Sequence, residues 1–252
     1  MNTTITYEFP LNERIRVFIR LEQLFQQFVH FSVGATAADK RAAVSVLLDI
    51  VMIFKRNDLK SEVLKELERD IKILKTLLEP QEANAELLLE FTQISQKLHG
   101  VRGKIGTNVM QSDLFQSIAQ RSTIPGGTCC FDLPEYHHWL EQHETIRLKN
   151  LQQWSSPFDD IWHAIQLILN FIRNSATASS EIAQAGFFQI ALDKNLAHQM
   201  IRVNVNQSIP CFVEISGGKH RCSIRFMNPS VDHERPTQSA DNIPFALTCC
   251  LI

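Results

Sequence analysis

No stretch of this chain is long and apolar enough to span a bilayer. The longest contender, Ala164 to Ile172, is interrupted by Gln166 and Asn170. Met1-Asn2-Thr3-Thr4-Ile5 offers no basic cap followed by an apolar run, so no secretion signal is expected. Excess charge is missing as well: the formal net charge is -2 over 252 residues, so nothing global draws the chain to nucleic acid or an anionic membrane. The six cysteines include two adjacent pairs, Cys129-Cys130 and Cys249-Cys250, which do not read as a disulfide framework. Free thiols in a reducing cytoplasm are the expectation. The glycine run Gly100-Val101-Arg102-Gly103-Lys104-Ile105-Gly106 lacks the Lys-Ser/Thr ending of a phosphate loop and reads as a connector. No internal repeat is evident.

What the chain does carry is helical periodicity over its first two thirds. After a short strand, Ile5 to Phe9, stopped by Pro10, Asn12 is placed to cap a helix reaching Phe31 with Ile15, Phe18, Ile19, Phe25 and Phe28 at helical spacing. A second helix spans about Asp39 to Phe54 and ends on the basic pair Lys55-Arg56, which complements the helix dipole. The third, Leu59 to Leu78, sets Leu64, Leu67, Ile71, Leu74 and Leu78 in a coiled-coil-like seam. The charges around it, Glu66 and Asp70 included, read as a solvated face. Further helical patterns cover Asn84 to Leu98, Ser112 to Arg121, Pro134 to Trp139, Ile146 to Trp154 and Phe158 to Arg173.

The period then changes. Beyond the Ser/Thr/Ala-rich Ser175 to Ser180, alternating segments appear at Phe187–Ala191, Met200–Val205, Cys211–Ile215, Arg221–Met227 and Phe245–Leu251. The fold class is therefore α+β: a mainly helical N-terminal body (1–178) followed by a C-terminal antiparallel β lobe (179–252), with the strand Ile5 to Phe9 joining the late sheet.

Within that lobe, one hairpin sorts its charge by face. Ser216-Gly217-Gly218-Lys219 is a turn signal, and the strand after it puts Arg221, Ser223 and Arg225 on one side and Cys222, Ile224 and Phe226 on the other. Should the strand Ile201 to Val205 pair with this hairpin, Arg202 joins the same open face. From Glu181 onward basic and acidic residues balance at six each, so the basic face arises from arrangement, not excess. Arginine's planar fork suits carboxylates, which favours an acidic protein partner. The plain alternative is that these arginines solvate the sheet or pair with neighbouring carboxylates. The competing functional reading is single-stranded nucleic acid, disfavoured because Phe212 and Phe226 should point into the core rather than interleave with the arginines.

Ile124 to Pro134 is dense in special residues: Pro125-Gly126 signals a tight turn, Thr128 to Phe131 reads as a short strand, and Asp132 is placed to cap the helix Pro134 begins. A cysteine nucleophile or a metal site using Cys129, Cys130, His137, His138 and His143 is the third reading. Adjacent cysteines chelate poorly together and no later Cys-x-x-Cys or His pair completes a set, so these thiols are expected to be buried and structural, with no catalytic residue, metal or cofactor assigned.

Ser122-Thr123-Ile124-Pro125-Gly126-Gly127, followed by Cys130-Phe131-Asp132-Leu133-Pro134 and His138-Trp139-Leu140, resembles the signature of the ZapD family of Z-ring-associated proteins. Glu8-Phe9-Pro10-Leu11-Asn12-Glu13, Leu64-Lys65-Glu66-Leu67-Glu68-Arg69, and Ile215-Ser216-Gly217-Gly218-Lys219-His220-Arg221 with Ile224-Arg225-Phe226-Met227 continue the match in order along nearly the whole chain. The resemblance implies a cytoplasmic division protein at the mid-cell ring rather than an enzyme. It implies a homodimer that binds the C-terminal tail of the tubulin-like protein FtsZ and cross-links its filaments. It carries over Arg56, Arg221 and Arg225 as tail-binding residues, with Lys219 and Arg202 as further candidates, in a groove expected between helical body and sheet. Neither nucleic-acid binding nor membrane insertion is expected.

Overall fold

The computed structural model describes residues 3–56, 58–76, 82–218, 220–230 and 235–251. The chain divides into two compact units, Ile19–Ile168 and the pair of segments Met1–Phe18 and Leu169–Ile252. The first unit is helical. It contains most of α1 (Glu13–Val33), then α2 (Ala37–Arg56), α3 (Leu59–Thr76), α4 (Glu82–Gly100), α5 (Asp113–Arg121), α6 (Pro134–Leu140), α7 (Glu144–Ser155) and most of α8 (Asp159–Arg173).

Local chemistry sets the helix starts. Asn12 caps α1, its Oδ1 accepting from the Ile15 N–H at 2.9 Å. Thr36 and Asp39 cap α2 reciprocally: the Asp39 N–H donates to Thr36 Oγ1 and the Thr36 N–H to Asp39 Oδ2, both at 3.1 Å. The interior of the helical unit is aromatic. Phe158 lies 4.9 Å from Phe54 and 6.4 Å from Phe25, while Trp154 lies 5.3 Å from Phe115 and 5.5 Å from Trp139, centroid to centroid.

α3 departs from the expected seam. Its buried row is Leu59, Val63, Glu66, Leu67, Asp70 and Leu74, so two carboxylates assigned to the solvated face lie inside. The buried row is rotated from the expected seam on a helix that packs against α4, which leaves Leu64 and Ile71 half-buried. The buried acids bring counter-charge with them: Arg69 reaches the Glu66 carboxylate at 2.5 Å. Leu78, the seam's last member, falls outside the described residues.

The second unit is built from two antiparallel sheets sharing one core. In the first, the order is β1 (Thr4–Pro10), β4 (His198–Asn206), β8 (Ile243–Leu251), β2 (Ser179–Ala183). In the second it is β3 (Phe187–Ala191), β6 (Arg221–Asn228), β5 (Phe212–Gly217), with the two-residue β7 (Thr237–Gln238) also pairing with β6. The early strand does join the late sheet. Ile5 faces Val205, Tyr7 faces Val203 and Phe9 faces Ile201, so the inward rows of β1 and β4 coincide. Ile201, Val203 and Val205 from one sheet meet Cys222, Ile224 and Phe226 from the other, and Phe226 stands 5.2 Å from Phe245. Each large apolar side chain buried here contributes about 1.5–3 kcal/mol by removal from water.

Two strands were not expected. β2 begins inside the polar Ser/Thr/Ala stretch and is an edge, where a mostly exposed residue row suffices. The turn from β2 to β3 needs Gly186: its φ is +68°, and a Cβ there would come within 2.5 Å of the Ser239 carbonyl oxygen. Conversely, the strand expected at Thr128–Phe131 is a run of turns, closed by Cys129 N–H to Gly126 O (2.9 Å) and Leu133 N–H to Cys129 O (2.8 Å).

Candidate partner-binding face

β6 separates its residues as alternation requires. Cys222, Ile224 and Phe226 are fully buried, whereas Arg221 and Arg225 are exposed and Ser223 is half-buried between them. Four residues apart on one strand, the two arginines stand about 13 Å from each other. Each has distinct neighbours. Arg225 faces Glu214 on β5 and Phe187 on β3; Ser223 faces Ser216 and Gln189; Arg221 faces Ala191 on β3. Among the described residues, neither guanidinium has a carboxylate within 4.0 Å. Glu214 thus lies across from Arg225 without closing an ion pair on it, and both guanidinium forks face solvent.

The other proposed arginines lie elsewhere. Arg202 does not share this face, because β4 pairs with β1 and β8 rather than with the hairpin. Its neighbours Ile201 and Val203 point into the shared core, which turns Arg202 to the opposite face of its sheet, where it is half-buried. There it lies 3.0 Å from the Glu8 carboxylate, which Arg173 also holds through Nε at 2.9 Å and an Nη at 2.8 Å. One carboxylate gripped by two guanidiniums ties α8 to β1 and β4. Lys219 falls outside the described residues.

Arg56 belongs to the helical unit, as the last residue of α2. It lines a cleft of about 120 Å³ together with Lys55, Asp58, Lys60 and Lys104. Lys60 donates to the Val101 carbonyl at 2.5 Å, and at the start of α3 the Asp58 carboxylate accepts from the Ser61 hydroxyl at 2.7 Å. That hydrogen bond, with nearby Lys104 and Lys65 adding to it, holds the exposed Asp58 carboxyl below its ordinary value. The basic glycine run read as a mere connector therefore supplies Lys104 to the same cleft as Arg56. Its charge was legible in the sequence; its return to the end of α2 was not, because loop spacing carries no such information. Two aromatic rings lie on the basic face where none was expected: Phe187 was missed and sits beside Arg225, 37% exposed, and Phe212, expected in the core, pairs with Met227 on that face while only Phe226 points inward.

The central turn does not bury its thiols. Cys130 is exposed and Cys129 half-buried. Asp132 does not cap α6; Leu133 holds that position without a side-chain bond, and Asp132 lies 3.9 Å from Arg121. His143 caps α7, its Nδ1 accepting from the Thr145 N–H at 3.4 Å. Among the described residues, no three His, Cys, Asp or Glu side chains are grouped to hold a metal ion. Gly127 keeps the turn compact, since a Cβ there would meet the Arg121 carbonyl oxygen at 2.5 Å. Among the described residues, no helix is long and apolar enough to cross a membrane.

The fold and the face together define an α+β chain whose exposed basic hairpin suits an acidic partner. A family model described as "ZapD: Cell division protein" matches residues 19–225. A protein named "Cell division protein ZapD" from Methylococcus capsulatus is 46% identical over 256 residues, covering all of both chains. Its namesakes from Nitrosomonas eutropha and Chromobacterium violaceum are 37% and 32% identical over 250 residues, each alignment covering 98% of this chain and 99% of the relative. The chain belongs to the ZapD family, and a role in cell division follows.

Proposed function

We propose that this protein is a non-catalytic adaptor of the division ring that binds the C-terminal tail of FtsZ and, as a homodimer, cross-links and bundles FtsZ filaments at mid-cell. The observation that carries the reading is the pair of exposed arginines, Arg221 and Arg225, both on one strand face with no carboxylate closed on either among the described residues. A short acidic tail supplies the missing partner, and each fork can take a carboxylate through two parallel hydrogen bonds. Arg56, in its own lysine-rich cleft of the helical unit, is a further basic contact for an acidic tail. Two sites on a dimer grip two filaments. Each contact can be weak, because many tails along a polymer raise the effective concentration.

The test is co-sedimentation with GTP-polymerised FtsZ, full length and lacking its tail. Pelleting and bundling with the full-length polymer alone, weakened about tenfold or more by Arg221→Ala or Arg225→Ala, is the expected result. Equal pelleting with both polymers, or wild-type binding by both variants at low salt, refutes it. Phe187 beside Arg225 favours a second reading, single-stranded nucleic acid stacked on that ring. Retention of an oligonucleotide with a steep salt dependence would select it.

A further inference from the structure

We propose that the acidic peptide met by Arg221 and Arg225 binds by strand addition to the free edge of β3, in register with Gln189 and Ala191. The proposal rests on the reading of the arginine face as a carboxylate site and adds how the peptide backbone is held. β3 ends its sheet: β6 lies on one side, and among the described residues no strand lies on the other beyond a single bridge between Gln184 and Phe187. The direction of its backbone groups follows from two bonds. The Phe226 N–H donates to the Gly186 carbonyl at 2.8 Å and the Leu192 N–H to the His220 carbonyl at 2.9 Å. Antiparallel pairs alternate between bonded and non-bonded, so Phe188 and Ile190 turn their N–H and C=O groups toward β6. Gln189 and Ala191 turn theirs outward, and their side chains share the outer face with Arg221 and Arg225.

An added strand would then lie about 10 Å from β6, two strand spacings away. Across from Arg221 the intervening residue is Ala191, whose methyl group leaves the guanidinium a clear path to an acidic side chain on the added strand. Phe187 offers that strand an apolar contact at the other end. The opposite edge of the sheet is poorer, because Glu214 on β5 would face an acidic peptide there. Backbone pairing supplies affinity and the arginines supply selection, a division of labour known for peptides that extend a sheet.

Gln189→Pro tests this cleanly. It deletes one outward N–H and no bond to β6, and proline is tolerated on an edge strand whose N–H faces solvent. Affinity for a synthetic FtsZ-tail peptide, measured by fluorescence anisotropy on the full chain, should fall about tenfold in Gln189→Pro while the thermal melt is kept. The Gln189 and Ala191 amides of the wild type should gain hydrogen-exchange protection when peptide is added. Wild-type affinity in Gln189→Pro, with loss in Arg221→Ala, overturns strand addition and leaves the arginine site standing. Wild-type affinity in both overturns the two together. Should Gln189→Pro fail to fold, a peptide N-methylated at alternate residues decides: about tenfold loss supports the proposal and unchanged affinity overturns it. Protection that appears without peptide and grows with protein concentration assigns the edge to a second copy and overturns it as well.

Discussion

Glu214→Gln should tighten binding of an acidic peptide, and the sign of that effect makes it informative. Glu214 is the residue paired across from Arg225, so its charge lies on the side of the sheet that the peptide's carboxylates would meet. A peptide carboxylate held by Arg225 would stand about 7 Å from the Glu214 carboxylate, and at water-like dielectric two unit charges at that distance repel by about 0.6 kcal/mol. Deleting the charge therefore strengthens binding about 2.2-fold in 10 mM salt, where the screening length of about 30 Å leaves roughly four-fifths of the repulsion. At 150 mM the screening length of about 8 Å reduces the gain to about 1.5-fold. Anisotropy of a labelled FtsZ-tail peptide at the two salt concentrations reads both values. A damaged fold lowers affinity, so a gain cannot be mistaken for one. Unchanged or weaker binding in 10 mM salt would refute the placement of the peptide's charge beside Arg225.

Three further outcomes test the burial that the structure shows. Glu8→Gln leaves Arg173 and Arg202 without their shared anion at a site where all three side chains are mostly covered, and should cost about 1–3 kcal/mol, seen as a lower thermal midpoint. Burial pushes the Cys222 and Cys250 thiols up from 9.0 to about 11, so both stay protonated at neutral pH. The folded state thus holds these protons more tightly than the unfolded chain. Their contribution to stability is intact below pH 9 and is lost as pH rises from 9 toward 11, which alkaline melts of wild type and Cys222→Ala will compare. Under native conditions at pH 7.5, iodoacetamide should label exposed Cys130 well before Cys222 or Cys250, read by mass spectrometry.

The helices and the principal strands were legible because period and capping are local. Asn12 caps α1 as expected, and β3 spans Phe187–Ala191 as the alternation predicts. The two faces of β6 could be read for the same reason, residue by residue. What was not legible depends on partners distant in the chain. Arg202 alternates correctly, yet its strand chose β1 and β8 as neighbours, because two more apolar rows match Ile201, Val203 and Val205 there. Glu66 and Asp70 look solvated by composition and are buried because α4 packs on their side. β2 has too little apolar alternation to be seen without the register that Pro244 to Leu247 provides. The turn after Ile124 misled for another reason: Thr128 to Phe131 has strand-like residues, but backbone bonds within the turn satisfy its polar groups first.

The pairing of β1 with β4 reaches across most of the chain; even the flanking hydrogen bond from Asn12 to Gln199, 2.8 Å long, spans 187 positions. During synthesis the first strand emerges with nothing to pair against. At about 5–20 residues per second, roughly 10–40 s elapse before β4 is available, while the intervening helices make their contacts locally. An unpaired apolar strand waits through that interval, exposed to chaperones and to other nascent copies. The layout makes completion of the basic hairpin's own unit among the last events in the birth of the molecule.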